Sequence, residues 1–217
     1  MSVITNVKVY DLEETLVASG YAMINGYSES EVKTQAEVIK LEHLEGDLEN
    51  SKHYKRALKL MKAQLNSGHC SFAKGIVVNM DITFTNKAWI EMQRYHFIDI
   101  ITGQSCMHRI SKFDLNEAFN EYVDPVIVQR LKSIQQLYID NPTPENYLKL
   151  LYSTPSGIYL TGRVTTNYLQ LMNIYQQRRT HRLPEWREFC QELLELPLFY
   201  EFLEANGTLY AQDIREG

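Results

Sequence analysis

The chain is poor in the residues that build metal sites and disulfide frameworks. Its three cysteines, Cys70, Cys106 and Cys190, are odd in number and never fall in C-x-x-C spacing. That excludes a disulfide scaffold and a cysteine zinc site and points to a reducing compartment. The six histidines are scattered, with no H-E-x-x-H or comparable set, so no metal is expected. A phosphate-cradling glycine loop is missing too: "SGYAMING" has glycines without the spacing or the strand-turn-helix setting. No run approaches the roughly 18 apolar residues of a membrane helix. The opening "MSVITNVKVYDLEETL" lacks a basic region followed by an apolar one, so no signal peptide is expected. Basic charge is not in excess either. A net charge of −5 argues against a general nucleic-acid binder while leaving room for a local pocket for one anion. The expectation is a cytoplasmic protein with neither membrane nor nucleic acid as partner.

What is present is enough for a real core. The chain has 217 residues, 44% of them hydrophobic, with 23% charged and 11% aromatic. This fits a single folded domain over 1–217 rather than a disordered chain. "VITNVKVYDL" alternates apolar and polar residues and predicts a strand from Val3 to Tyr10. A helix is expected from about Glu31, capped by Ser28 or Ser30. Leu58, Met61 and Leu65 share helical spacing in "SKHYKRALKLMKAQLNSGH", which Ser67-Gly68 stops. "GIVVNMDITFT" reads as a strand with Asp81, Thr83 and Thr85 on one side. A helix capped by Asn86 then carries Trp89, Met92, His96 and Ile100 through "NKAWIEMQRYHFIDIIT". Helices follow in "DPVIVQRLKSIQQLYID", "TPENYLKLLYST", "TTNYLQLMNIYQQRRTHRL" and "PEWREFCQELLEL", and only "IDNPTPEN" looks like a linker. Helices dominate, with a few early strands.

The stretch "QRYHFIDIITGQSCMHRI" (93–110) concentrates Arg94, His96, Asp99, Gln104, Ser105, His108 and Arg109 between apolar residues. Taken singly, such residues have local readings. His69-Cys70 and Cys106-x-His108 place a thiol beside an imidazole, but sequence neighbours rarely meet in the geometry of a nucleophile and its base. Arg178-Arg179 followed by His181-Arg182 reads as a basic helix end facing the last carbonyls. Ser105 reads as a helix-terminal hydroxyl bonded to backbone, Asn173 as an exposed polar residue, and His69 as a turn histidine. Ser19, Tyr21 and Tyr27 in "ETLVASGYAMINGYS" either line a pocket or form a polar turn.

The order of these segments is more specific than any one of them. "SGHCSF" (67–72) precedes a strand containing Thr83-Phe84, a helix runs into 93–110, and "TPSGIYLTGRVTTNYLQLMNIYQQRRTHRLPEWREF" (154–189) comes much later. This arrangement resembles the flavin-dependent thymidylate synthases over about residues 55 to 195. Gly68, His69 and Ser71 fit the family's G-H-x-[ST]. His96 falls on the middle of R-H-R, with Tyr95 and Phe97 in place of its arginines and Arg94 one position away. Ser105 falls on the second serine of the signature, beside Gln104. Thr102 and Gly103 replace its N-E pair, Met107 its last arginine, and His108 its tyrosine, with Arg109 one residue further on. Pro155 and Gly157 fit L-P-x-G. Asn167, Leu171, Asn173 and Arg178 keep the later spacing, although Leu169 replaces an arginine there. Glu185 and Arg187 correspond to E-I-R after a one-residue deletion.

The resemblance implies an α+β fold: a helix-rich single domain with a small, mainly antiparallel sheet. It implies transfer of a methyl or hydroxymethyl group to C5 of a pyrimidine deoxynucleotide such as dUMP. FAD is the cofactor it implies, methylenetetrahydrofolate and NADPH the cosubstrates, and a homotetramer the assembly. By the same resemblance His69, Ser71, Arg94, His96, Asn167 and Asn173 hold the cofactor. Gln104, Ser105, His108, Arg109 and Arg178 hold the nucleotide, and Arg178 is also the catalytic residue. Asn167 and Arg178 lie 11 positions apart, about three helical turns, and so share a face with Leu171 and Ile174. The family's phosphate-binding arginines fall on Met107 and Leu151, and an apolar side chain does not replace a bidentate arginine. Either Arg109, Lys149, Arg163 or Arg179 takes the phosphate, or the substrate is not ordinary dUMP. The alternative function is a homologue that binds a nucleotide or a regulatory partner without catalysis.

Overall fold

A computed structural model describes residues 2–213. In chain order the elements are β1 (Ile4–Tyr10), α1 (Leu12–Ala18), α2 (Glu29–Glu45), α3 (Lys52–Met61), β2 (Val77–Thr85), α4 (Asn86–Met92), β3 (Asp99–Gly103) and α5 (Cys106–Arg109). They continue with α6 (Pro125–Asp140), α7 (Pro144–Tyr152), β4 (Tyr159–Asn167), α8 (Tyr168–Arg178), α9 (Pro184–Leu193) and α10 (Phe199–Asn206). The four strands form a sheet of order β1-β2-β4-β3, and the fold is α+β, helix-rich with a small antiparallel sheet. Among the described residues no helix is long and apolar enough to cross a membrane. The chain divides into two compact units, Met1–Thr5 with Asp81–Val164, and Asn6–Met80 with Thr165–Gly217.

In the first unit, β2 and β4 pair through side chains on one face. Thr83 and Thr161 share a 2.8 Å hydroxyl contact, and Arg163 reaches Asp81 at 3.1 Å. Two residues back along β2 match two forward along β4, the signature of antiparallel rungs. The other face buries Ile82, Phe84 and Val164. Trp89 of α4 sits against Phe84 edge-on at 5.8 Å and donates its indole N–H to Leu160 O at 2.8 Å. A Cβ on Gly162 would stand 3.0 Å from that indole, so the approach needs glycine. A second apolar cluster joins Ile110, Leu115, Leu131, Leu150 and Ile158. The segment expected as a linker is a tight turn between α6 and α7. The Thr143 hydroxyl caps α7, the buried Asn146 amide bonds Asn141 O at 2.9 Å, and Tyr138 meets Tyr147 at 5.3 Å.

Several helix boundaries differ from expectation for identifiable reasons. Thr85, not Asn86, caps α4, accepting from Ala88 N at 3.2 Å. That helix stops at Met92 instead of running to Ile100: Arg94 N and Tyr95 N bond back three residues, and Phe97 takes a φ of 63°. The β-branched residues Ile100, Ile101 and Thr102 then form most of β3, as such side chains favour. Thr165 and Thr166 end β4 rather than begin α8. Helix α3 ends at Met61 instead of reaching Ser67.

In the second unit, α8 buries Tyr168, Leu171, Met172, Ile174 and Tyr175. Trp186, Phe189, Phe199 and Phe202 from α9 and α10 complete this core. Tyr168 meets Phe199 edge-on at 5.3 Å, and its buried hydroxyl donates to Pro197 O at 2.6 Å. Arg56 of α3 ties down the end of α1, donating to Leu16 O at 2.9 Å, Val17 O at 3.0 Å and Ser19 Oγ at 3.1 Å. These are carbonyls that a helix terminus leaves unpaired. Arg56 also lies 2.9 Å from His53 Nδ1. Arginine cannot accept, so that nitrogen accepts and the ring is neutral.

His53 is 7% exposed. Burial first, then the charges of Arg56 and Lys52, hold its pKa below the ordinary 6.5, against the pull of Glu42. The folded value is depressed, so the neutral ring's contribution is full above about pH 6.5. It is lost as pH falls through the folded value. Urea unfolding at a series of pH values should therefore show stability dropping below about pH 6.5. His53→Gln, which keeps an acceptor for Arg56, should flatten that drop; an unchanged slope in the variant would remove His53 as its source.

Candidate functional site

The expected site residues fall into two sets, one in each compact unit. In the second unit the Gly68–Ser71 turn belongs to a 3₁₀ segment, Gly68–Lys74. Its neighbour Asn66 has a φ of 68°, a left-handed conformation that asparagine tolerates better than most residues. Asn66 Nδ2 donates to Asn173 Oδ1 at 2.7 Å, and Asn173 Nδ2 donates back to Asn66 Oδ1 at 2.9 Å. The second hydrogen of Asn173 Nδ2 goes to Leu169 O at 2.8 Å. Asn173 is thus tied to the turn rather than simply exposed. Asn66 also lines a polar groove of about 390 Å³ with Lys62, Gln64, Gln176, Asn206 and Thr208.

Around the turn, Ser71 Oγ donates to Gly68 O at 2.6 Å, and His69 and Ser71 are both exposed. Cys70 is fully buried, its sulfur 3.6–3.8 Å from the carbonyls of Leu60, Ala63 and Gln64. Burial pushes its thiol pKa up, despite the Ser67 hydroxyl. The same cause raises Cys106, and burial with Asp213 nearby pushes Cys190 up to about 12. All three thiols are held protonated, which disfavours a thiolate nucleophile. Among the described residues no three of His, Cys, Asp and Glu gather as a metal site.

Along α8, Asn167 is the N-cap, with Oδ1 accepting from Gln170 N at 3.0 Å. Its Nδ2 donors have no partner among the described residues. Arg178, at the far end, is half-buried; its guanidinium lies 4.7 Å over the Trp186 ring and donates to His181 Nε2 at 2.8 Å. At the basic end of α8, Arg179 bonds Gln176 O, while Arg187 of α9 donates to His181 O at 2.6 Å and Arg182 O at 3.1 Å in the connection between the helices. Glu185 is buried. In the 14–28 segment, Ser19 serves the end of α1, donating to Leu16 O at 2.7 Å. Tyr21 lines a cavity of about 290 Å³ with Val17, Met23, Ile24, Lys52 and Arg56, and Tyr27 packs on Tyr21 at 5.8 Å.

In the first unit, Arg94 and His96 are exposed in the turn after α4. Gln104 continues β3 by one rung: its N–H donates to Thr161 O at 2.9 Å, and its Oε1 accepts from Thr161 N at 2.9 Å. A cavity of about 170 Å³ opens beside it, lined by Asn86, Trp89, Gln93, Thr161 and Gly162. Ser105 begins α5, its carbonyl accepting from His108 N and Arg109 N, while its hydroxyl makes no capping bond. His108 and Arg109 are exposed, and among the described residues neither side chain has a partner. Of the four alternative phosphate cations, Arg163 is paired with Asp81, Lys149 with Glu145 at 2.8 Å, and Arg179 with Gln176 O. Arg109 alone of the four stands unengaged among the described residues. Sequence reasoning missed Asn66, Thr161, His181 and Trp186. Only Asn66 carried a local signal, since Asn-Ser-Gly is a turn sequence.

No family model matches the chain, and no curated protein sequence does. Solved structures do. The flavin-dependent thymidylate synthase ThyX of Helicobacter pylori, complexed with FAD and dUMP, superposes with a TM-score of 0.63 at 15% identity, over 93% of this chain and 99% of that one. A second structure of the enzyme, also with FAD and dUMP, gives 0.58 at 18% identity, over 77% and 91% of the two chains. The UMP/dUMP methylase PolB of Streptomyces cacaoi, bound with 5-Br UMP, gives 0.58 at 14% identity, over 96% and 97%. The chain has the fold of the flavin-dependent thymidylate synthases.

Proposed function

We propose that this protein is a flavin-dependent one-carbon transferase. It carries a methyl or hydroxymethyl group from methylenetetrahydrofolate to C5 of a pyrimidine deoxynucleotide such as dUMP, with FAD as cofactor and NADPH as reductant. The observation that carries this reading is the Asn66–Asn173 pair. Within one compact unit it joins the G-H-x-S turn to α8, the two segments to which the family outline assigns the flavin. The FAD, dUMP and 5-Br UMP held by the fold's relatives support the same substrate classes.

The side chains suit a flavin. An isoalloxazine edge presents carbonyl oxygens, ring nitrogens and an imide N–H, and so needs donors together with an acceptor. Asn167 keeps both Nδ2 hydrogens because capping uses only its Oδ1. His69 is exposed, and Ser71 keeps oxygen lone pairs after donating to Gly68 O. Asn173 supports the turn, and Arg94 and His96 offer further cofactor contacts. When bound, the flavin supplies hydride chemistry; the protein supplies position and charge.

Arg178 has the catalytic role. As C5 of the pyrimidine becomes nucleophilic, negative charge grows on a ring carbonyl, and a preorganised cation stabilises it. Stacking on Trp186 and the bond to His181 hold this guanidinium in place before substrate arrives. Arg109, unengaged among the described residues, takes the phosphate, with His108, Gln104 and the Ser105 hydroxyl near it in sequence. The exposed Phe97 (72%), Ile101 (61%) and Met107 (55%) suit burial against further copies in a homotetramer. We place the protein in the cytoplasm.

A visible spectrum of the purified protein tests the reading first. Flavin bands, present at isolation or after FAD is added, should bleach with reductant, and their absence would remove the flavin assignment. Arg178→Ala should lower turnover by about 10²–10³-fold with far-UV circular dichroism unchanged, and full activity would sink its assigned role. Arg109→Ala should raise the nucleotide KM about tenfold or more with little change in kcat. Should Arg163→Ala do so instead, the phosphate belongs to Arg163.

A further inference from the structure

Asn173 is assigned to the flavin by family position, yet both hydrogens of its amide are spent inside the protein, on Asn66 Oδ1 and Leu169 O. Its Oδ1 already accepts from Asn66 Nδ2 at 2.7 Å. To donate to a ligand it would have to give up one of these bonds. The pair instead forms a closed two-bond ring between amide side chains 107 positions apart in sequence. Ring closure of this kind fixes a relative position, because two bonds must break together before the side chains can part.

What it fixes is the mounting of the turn. Asn66 stands immediately before Ser67, whose carbonyl accepts from Cys70 N at 3.2 Å. Cys70 anchors the turn from below, through its buried sulfur. With Asn66 held to α8 and Cys70 held in the core, His69 and Ser71 face outward from a segment tethered on two sides. The φ of 68° at Asn66 aims its amide, and Asn or Gly is the residue suited to that conformation.

We infer that Asn66 is a positioning residue for the flavin site: its amide ring with Asn173 fixes the Gly68–Ser71 turn on α8, and Asn173 acts through this ring rather than by direct contact. The inference rests on the flavin reading above and adds a residue to it.

The test uses Asn66→Gly, which keeps the left-handed backbone while deleting the amide, with Asn173→Ala and the double variant. In flavin-free protein, amide hydrogen exchange at Cys70 should quicken about tenfold in each single variant. FAD affinity should fall about tenfold in each, consistent with the loss of a pair of neutral hydrogen bonds. The double variant should be no worse than the poorer single one, because both lose the same ring. Wild-type exchange and wild-type FAD affinity in Asn66→Gly would overturn the inference alone. Additive losses in the double variant would also overturn it, since they would mean that Asn173 touches the flavin independently. If the wild-type chain takes up no FAD, the flavin reading falls and the inference with it.

Discussion

Backbone carbonyls that leave a helix must find donors, and the end of α3 depends on side chains to supply them. Cys70 faces the carbonyls of Leu60, Ala63 and Gln64, and Asn206 Nδ2 donates to Met61 O at 2.7 Å and Ala63 O at 2.8 Å. An unpaired buried carbonyl costs about 1–3 kcal/mol, so these bonds decide where the helix stops. Because α3 stops at Met61, the chain reaches Asn66 in a turn rather than on a helical face. Because Cys70 is drawn inward, His69 and Ser71 are turned outward. The exposed histidine and hydroxyl of the proposed flavin site thus follow from the need to satisfy one helix terminus.

The cations sort by the same accounting. Arg56 is spent on the carbonyls of α1, Arg187 on those of His181 and Arg182, Arg179 on Gln176, and Arg163 on Asp81. Arg178 lies over an indole and against an imidazole, partners that orient a guanidinium. A charge that acts on a ligand must be fixed in place before the ligand arrives.

How much was legible in the sequence varied with the range of the interactions. Local signals read well. The Pro-started helices α6, α7 and α9 stand where caps and first-turn prolines placed them, and Ser28 caps α2. The long helix expected over 86–100 failed at Met92, because helical spacing of Trp89, Met92, His96 and Ile100 outweighed the β-branched run that builds β3. Asn167 was legible by position but not by role, since its capping of α8 appears only once Thr165 and Thr166 are seen in a strand. The partners of Asn173, Arg178 and Gln104 were invisible because they come from other segments. A contact spanning 107 residues, like that of Asn66 with Asn173, leaves no periodic trace.

The arginines that the resemblance leads one to expect at positions 95, 97 and 107 are Tyr95, Phe97 and Met107, and the fold shows why their loss does not empty the stretch of charge. On a regular helix or strand, moving a side chain by one position turns it onto another face. Residues 93–98 and 104–105 belong to neither: the backbone winds tightly to Tyr95, reverses sign at Phe97 and opens again at Ser105. In irregular backbone a neighbouring position has no fixed face, so a cation displaced by one or two residues can be re-aimed by local dihedrals. Arg94 beside Tyr95 stands in such backbone, whereas Arg109, two beyond Met107 with His108 between them, lies with both on the short helix α5. The apolar replacements serve a different end, since Phe97 and Met107 are exposed and add to the surface proposed to be covered in the assembly. The stretch thus carries both exposed charge, in Arg94 and Arg109, and exposed apolar area, in Phe97 and Met107.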